Sequence, residues 1–381
     1  MALSSVHYVC PTCGATHDAD TPLWRCPECG SPLDLADGPG LTPGAIDKAD
    51  TSPWRYAAAL RVPRDGAISM GEGGTPLIER QWNGRAVHLK MDYLAPTGSF
   101  KDRGVAVLMS YLRQREVSSI LEDSSGNAGA AMAAYAAAVG IACRILVPAS
   151  APAGKLVQMR ACGADVVPID GSRQDVSDAA LAEAESTFYA SHNWQPFFLE
   201  GTKTVAYEIW EQLGFRAPDN VIAPAGGGSN VIGCHIGFRE LLAAGQIERI
   251  PRIFGVQAAN CSPVVAAFDA GADDYIPTET TATVADGIAL SRPVRLRQML
   301  ASARQTGGAM IAVGEDEILA ALKSLLRIGL FVEPTSAAGA AGLSKLIAEG
   351  AIGPGETTVL ILTGSGLKAS AKIGGLLGLD A

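Results

Sequence analysis

Charge is scarce in this chain: only 18% of its 381 residues are Asp, Glu, Lys or Arg, and aromatic residues make up 6%. So little charge excludes a solvated, disordered chain, and the residues that remain have no long heptad pattern of a coiled coil. Basic residues are the minority, 30 against 39 acidic, for a net charge of -9 and a pI near 5.1. A nucleic acid or an anionic membrane surface would be repelled by the chain as a whole. Long hydrophobic runs are missing too. The longest, Ala128 to Val139, is mostly alanine and falls short of the ~20 residues that cross a bilayer, so it reads as a buried helix. Met1 to Cys10 has neither a basic start nor an apolar stretch of leader length, which gives the expectation of a cytoplasmic protein. In a reducing compartment its 8 cysteines are not expected to form disulfides.

What is abundant is glycine, 43 residues, within a 48% hydrophobic composition. At this length the chain exceeds one ordinary domain and can bury a substantial core. Four cysteines fall at the N-terminus as Cys10-Pro-Thr-Cys13 and Cys26-Pro-Glu-Cys29, with twelve residues between the pairs and a glycine after each. Two thiolates separated by two residues can share one ion, and two such knuckles complete a tetrahedral shell. Residues 1–38 are therefore expected to form a ribbon holding structural Zn2+ through Cys10, Cys13, Cys26 and Cys29, with His7 and His17 outside the shell. A nucleic-acid-binding ribbon is disfavoured, because this stretch has Arg25 as its only Lys or Arg against Asp18, Asp20, Glu28, Asp34 and Asp37. The remaining cysteines, Cys143, Cys162, Cys234 and Cys261, sit among apolar neighbours and read as small core residues.

Beyond the ribbon, strand-like and helix-like patterns alternate, as in parallel α/β proteins. Helices are expected at 101–115, 128–139, 153–162, 176–191, 203–213, 231–244, 315–328 and 336–349. Strands are expected at 87–91, 119–122, 143–147, 165–168, 220–223, 252–257 and 357–362. The expected organisation is the ribbon, a large α/β domain of residues 39–100 and 192–381, and a small α/β domain of residues 101–191, with ligands at the carboxyl ends of parallel strands.

Three turns carry the chemistry. Lys101, in Ser99-Phe-Lys-Asp-Arg-Gly104, opens a helix, where positive potential and partial burial favour the neutral amine that can form a Schiff base and later move protons. A surface lysine is the bland alternative. Gly226, Gly227, Gly228, Ser229 and Asn230 lie between a strand and a helix, so backbone N–H groups can cradle a phosphate. The loop has neither a Walker lysine nor the dinucleotide fingerprint. Ser124, Ser125, Gly126 and Asn127 form another strand-to-helix turn, suited to a carboxylate and equally readable as a helix cap. Thr363 ends the last strand with a neutral hydroxyl. Together these residues offer the contacts that pyridoxal 5'-phosphate requires.

The chain resembles the fold type II pyridoxal-phosphate enzymes, and most closely the threonine synthase family. The resemblance covers about residues 69–370 and rests on Gly71-Glu-Gly-Gly-Thr-Pro76, Pro96-Thr-Gly-Ser-Phe-Lys-Asp-Arg-Gly104, Ser124-Ser-Gly-Asn127, Glu200-Gly-Thr-Lys-Thr-Val-Ala-Tyr-Glu208 and Leu362-Thr-Gly-Ser-Gly-Leu-Lys368. It implies two α/β lobes with parallel sheets and a lyase converting O-phospho-L-homoserine and water to L-threonine and phosphate. Lys101 would be the Schiff-base lysine. Phe100, Asn127, Gly226, Gly227, Gly228, Ser229, Asn230 and Thr363 would hold the cofactor, and Thr97, Ser99, Ser124, Ser125 and Gly126 the amino-acid substrate. A homodimer is implied as well. Three positions depart from that family: the Gly-Gly-Gly-Ser-Asn loop and Asp286-Gly-Ile-Ala289 are closer to dehydratases, and Ala95 stands where Asn is expected. A serine/threonine dehydratase, or another enzyme of β-elimination or β-replacement, is the alternative. Lys155 and Lys203 head helices, and Glu333 precedes Pro334-Thr-Ser-Ala-Ala; none of them has a defined role at this level.

Overall fold

The computed structural model describes residues 6–379; Met1 to Ser5, part of the stretch read for a leader, and the last two residues lie outside the described residues. Among the described residues no helix is long and apolar enough to cross a membrane. The chain divides into two units. One holds the chain up to Pro39 with Ile46–Glu72 and Lys101–Thr202; the other holds Gly40–Ala45, Gly73–Phe100 and the chain from Lys203 onward.

The first unit contains a four-stranded parallel sheet in the order Asp165–Ile169, Ala142–Pro148, Ser119–Glu122, Phe188–Tyr189. Ser119–Glu122 is central and buried at its last three residues. It leads through residues 123–126 into the helix Asn127–Val139, whose alanines allow close packing and which stops at Gly140 in the left-handed conformation. The helix expected at 176–191 instead spans Arg173–Glu183, and Phe188–Tyr189 is a strand. Ser172 caps that helix through the N–H groups of Gln174 and Asp175, while Asp175 reaches back to the Ser172 N–H, so the start lies before the first apolar residue. A two-residue strand leaves no periodic signature, because only pairing with its neighbour defines it.

The N-terminal residues of the first unit form a three-stranded antiparallel sheet of Thr16–Asp18, His7–Val9 and Asp34–Leu35. Its core belongs to the unit's main core. Tyr111, on the helix Lys101–Arg113, stacks on Phe197 at 3.6 Å and donates its hydroxyl proton to Ala19 O at 2.8 Å. That proton being committed, Tyr8 donates to Tyr111 at 2.7 Å, and Leu23 N–H donates to Tyr8. Burial pushes the Tyr8 hydroxyl up to about 12, so the bond stays neutral.

The second unit is built on a six-stranded sheet in the order Ala309–Val313, Arg252–Ala258, Asn220–Pro224, Thr358–Ile361, Arg85–Lys90, Leu77–Trp82. All neighbours are parallel except the last pair. Asn220–Pro224 and Thr358–Ile361 are buried at every residue, as a strand covered on both faces requires. The sequence pattern shows no element between 258 and 314, yet helices at Pro263–Asp269 and Leu296–Gln305 and the edge strand Ala309–Val313 lie there.

Buried charge organises both units. In the second, the Glu208 carboxylate accepts from Gly74 N–H at 3.0 Å and Thr75 N–H at 2.9 Å, and pairs with Lys90. Lys90 also donates to Thr75 O and Gln212, and the Thr75 hydroxyl donates to Asp92 at 2.7 Å. The loop after Gly73 is thereby locked to the strand and to the helix Thr204–Gln212. In the first unit, Asp123 accepts from Arg173 at 2.7 Å, Ser177 at 2.8 Å and Ser191 at 3.1 Å. Burial alone pushes the Asp123 carboxyl up, but the charge and hydrogen bond of Arg173, with His192 and Ser177, outweigh it and hold it at about 2.

Glu208→Gln removes a carboxylate charge from beside buried Lys90 and is expected to destabilise the fold by about 3 kcal/mol in urea titrations. Asp123 titrates below the ordinary carboxylate value of ~3.9, so its stabilisation is complete above pH ~4 and is lost as pH falls through about 2. Acid titration of stability should therefore be shallower between those values in Asp123→Asn than in the parent chain; parallel curves would refute the assignment.

Candidate active site

Within the first unit, Lys101 is the first residue of the helix Lys101–Arg113, as the sequence predicts, and its Nζ lies 5.3 Å from the centroid of the Phe198 ring. Two glycines let this helix start press on the helix Pro196–Thr202. A Cβ at Gly104 would come within 2.6 Å of the Phe198 ring, and one at Gly201 within 2.1 Å of Arg103 O. The spacing of Lys-Asp-Arg-Gly and Glu-Gly-Thr-Lys is thus a packing requirement around the lysine. Glu200 accepts from Arg61 N–H at 2.8 Å and Nε at 3.0 Å.

The Ser124, Ser125, Gly126, Asn127 turn connects the central strand to its helix. Gly126 N–H donates to Ser124 Oγ at 3.2 Å, and Asn127 is the first helical residue. A Cβ at Gly129 would lie 2.0 Å from Ser124 O, so this glycine, to which the sequence reading assigned no role, lets the helix sit tight under the turn. Asp123, the residue before the turn, anchors it from below. The sequence reading also passed over His192, whose Nδ1 is 3.2 Å from Glu122 Oε1. These residues were missed because each partner is some 50 to 70 positions away in the chain.

Within the second unit, Thr97, Ser99, Phe100 and Thr363 come together. Phe100 N–H donates to Thr363 O at 2.9 Å, Ser365 N–H donates to Gly98 O at 2.9 Å, and Lys368 Nζ donates to Thr97 O at 2.8 Å. Gly98 holds the turn at φ +84°. Ser336, unnoticed in the sequence, organises the end of the last strand: its Oγ accepts from the N–H groups of Thr363 at 2.9 Å and Gly364 at 3.0 Å and lies 3.1 Å from Thr363 Oγ1. Glu333 lies against Gly364, where a Cβ would approach its carboxylate to 2.2 Å.

The glycine loop joins Asn220–Pro224 to the helix Ser229–Ala243. Gly228 has φ +83°, and a Cβ there would strike Met299 Sδ at 2.2 Å; at Gly226 it would meet Ile288 Cα at 2.9 Å. Asn230 is 1% exposed and neither atom of its side-chain amide has a hydrogen-bond partner. Ser99 Oγ is likewise buried without one. Buried polar atoms are seldom left unpaired. A bare-backbone cradle at a helix N-terminus beside an unpartnered amide fits a bound phosphate ester.

The four N-terminal cysteines also converge, with all four Sγ atoms within 4.8 Å of one another. Cys10 and Cys29 Sγ are 3.4 Å apart, and Cys13 and Cys26 Sγ 3.7 Å. Tetrahedral zinc with ligands at 2.3 Å has sulfur atoms about 3.8 Å apart, so the donor set fits. The knuckles match: Gly14 N–H donates to Cys10 O and Gly30 N–H to Cys26 O, both at 2.9 Å. His17 Nε2 lies 3.7 Å from Cys26 Sγ.

Comparison with known proteins identifies the family. Residues 68–364 match the family described as "Pyridoxal-phosphate dependent enzyme". A threonine synthase from Methanosarcina acetivorans is 36% identical over 375 residues, covering 95% of this chain and 92% of that protein. Another, from Methanocaldococcus jannaschii, is 37% identical over 373 residues, covering 94% and 92%. Among solved structures, the processed form of threonine deaminase isoform 2 from Solanum lycopersicum superposes with a TM-score of 0.69 over 84% of this chain and 91% of that one; at 24% identity it shows the shared fold. The chain belongs to the pyridoxal-phosphate dependent enzymes of fold type II, and within them to the threonine synthase family.

Proposed function

We propose that this enzyme converts O-phospho-L-homoserine and water to L-threonine and phosphate, with pyridoxal 5'-phosphate joined to Lys101. The observation that carries this reading is the similarity to threonine synthases along nearly the whole chain, combined with a lysine at the head of a helix. When bound, the cofactor withdraws electrons from the substrate so that protons can leave Cα and Cβ. The N–H groups of Gly226, Gly227, Gly228 and Ser229, with the Asn230 amide, would hold its phosphate. Thr363, fixed by Ser336, would face the ring nitrogen, with Phe100 alongside, and Asn127 would donate to the ring oxygen. A hydroxyl at Thr363 would leave that nitrogen largely unprotonated. Thr97, Ser99, Ser124, Ser125 and Gly126 would receive the substrate's α-carboxylate. Lys101 Nζ would take and return the protons at Cα and Cβ; in the net reaction phosphate departs from Cγ and the hydroxyl of water ends on Cβ. Cys10, Cys13, Cys26 and Cys29 would bind one structural Zn2+.

Lys101→Ala should remove the cofactor's visible absorbance from the purified protein and lower turnover at least about a thousandfold. Activity is read as phosphate and threonine released in equal amounts from O-phospho-L-homoserine, with L-serine and L-threonine assayed in parallel for oxoacid. Oxoacid without phosphohomoserine turnover would transfer the enzyme to the dehydratases. Elemental analysis should find one zinc per chain, lost in Cys10→Ser with Cys26→Ser, together with a drop in Tm of the ribbon-bearing unit; a zinc-free native protein refutes the metal site.

A further inference from the structure

The helix that follows the glycine loop is held at several points along its length. Ser229–Ala243 begins at Gly228, whose carbonyl accepts from Ile232 N–H at 2.9 Å, so the end of the loop moves only with the helix. Further on, Gly237 presses against the preceding helix, where a Cβ would approach Ala206 Cβ and Lys203 O to 2.7 Å. The helix Leu296–Gln305 supplies Met299 against Gly228 and, one turn later, Ser302 opposite His235. All of these residues belong to the second unit.

The bond between His235 and Ser302 has a fixed direction. Ser302 Oγ donates its only proton to Gln298 O at 2.8 Å, so it accepts from His235, and the imidazole hydrogen sits on Nδ1, 3.1 Å away. His235 is 8% exposed. Burial first, and then the charge of Arg239, push the imidazole down to about 4, so at neutral pH it is an uncharged donor. A neutral ring adds no charge to an anion site. What it adds is a directional link between two helices, within the first two turns after the loop.

We propose that His235 is a positioning residue for the cofactor's phosphate: its bond to Ser302 fixes Ser229–Ala243 along Leu296–Gln305, with Met299 as the stop against Gly228, and so sets where the loop's N–H groups point. Hydrogen bonds weaken steeply as donor and acceptor fall out of line. A small shift of the helix start therefore costs affinity for the phosphate. Lys101, Phe100 and Thr363 lie on other elements, so the rest of the cofactor's contacts do not depend on this link.

This inference rests on the glycine loop holding the cofactor's phosphate, and the experiment separates the two. The full-length chain, stripped of cofactor and checked for folding by circular dichroism, is titrated with pyridoxal 5'-phosphate and separately with pyridoxal, which has the same ring and aldehyde but no phosphate. His235→Leu and Ser302→Ala should each raise the Kd for pyridoxal 5'-phosphate about tenfold and leave the Kd for pyridoxal within about twofold of the parent. The two substitutions together should weaken binding no more than either alone, because they remove the same bond. His235→Asn, whose amide N–H can replace that of Nδ1, should bind like the parent. The phosphorus resonance of the bound cofactor should move in His235→Leu and return in His235→Asn. Unchanged affinity in both single variants, equal losses for the two ligands, or losses that multiply in the double variant would each overturn the proposal. If His235→Leu does not fold, Ser302→Ala with the pyridoxal comparison still decides. Asn230→Ala is the reference for the loop itself. Weaker binding and a moved phosphorus resonance there, with His235→Leu unaffected, would overturn the role of His235 alone; an Asn230→Ala protein unchanged in both would remove the loop from the phosphate and this inference with it.

Discussion

A parallel strand buried on both faces ends at a turn, and the next helix begins with N–H groups that have no partner inside it. That constraint governs this molecule. In the first unit the strand Ser119–Glu122 runs into Ser124, Ser125, Gly126 and Asn127; in the second, Asn220–Pro224 runs into Gly226, Gly227, Gly228 and Ser229. Each turn is compressed from below, by Gly129 against Ser124 O in one and by Gly226 and Gly228 against Ile288 and Met299 in the other. In the second turn Gly226 and Gly228 are buried, and the packing leaves no room there for a Cβ.

The charged residues of Glu200-Gly-Thr-Lys-Thr-Val-Ala-Tyr-Glu208 have a different task. Glu200 takes the Arg61 backbone and guanidinium, Lys203 and Tyr207 converge on Glu240, and Glu208 gathers the loop after Gly73. Each lies in the interior, where an ion without a partner costs several kcal/mol, so each has several donors or acceptors around it. Such pairs add little net stability over apolar side chains of equal size, but they accept only one arrangement of the loops they hold. The charges of this motif hold Arg61, the loop after Gly73 and Glu240 in place.

How much of this was legible in the sequence depended on the range of the interaction. The cysteine knuckles, the helix at Lys101 and the glycine loop are set by residues within a few positions of each other, and the structure has each of them at its expected element. The β-α alternation was visible wherever a strand is a continuous apolar run. It failed between 258 and 314, where short elements are separated by proline, aspartate and threonine, and at Phe188–Tyr189, which is a strand only because Ser119–Glu122 lies beside it. Asp123, His192, Glu122 and Ser336 were passed over for the same reason. Asp and Glu near a strand end read as ordinary capping or solvated groups until the Arg173 guanidinium, the imidazole or the last strand is brought against them.

The dehydratase-like positions can be weighed on the same grounds. Ile288 lies directly under Gly226, and Gly287 N–H donates to Thr335 Oγ1 at 3.1 Å, leaving no room for a Cβ, which would come within 2.6 Å of that oxygen. Asp286-Gly-Ile-Ala289 therefore supports the glycine loop. A triple glycine and its supporting Gly-Ile are parts of one packing solution and count once. They concern how the backbone of that loop is packed, which does not by itself distinguish one amino-acid substrate from another. Similarity to the solved threonine deaminase from Solanum lycopersicum is of the same kind, since at 24% identity it speaks for the scaffold. Identity of 36% and 37% to threonine synthases extends over 95% and 94% of this chain. The balance falls on threonine synthesis because the features favouring elimination reduce to backbone packing, whereas those favouring the synthase extend through the whole chain.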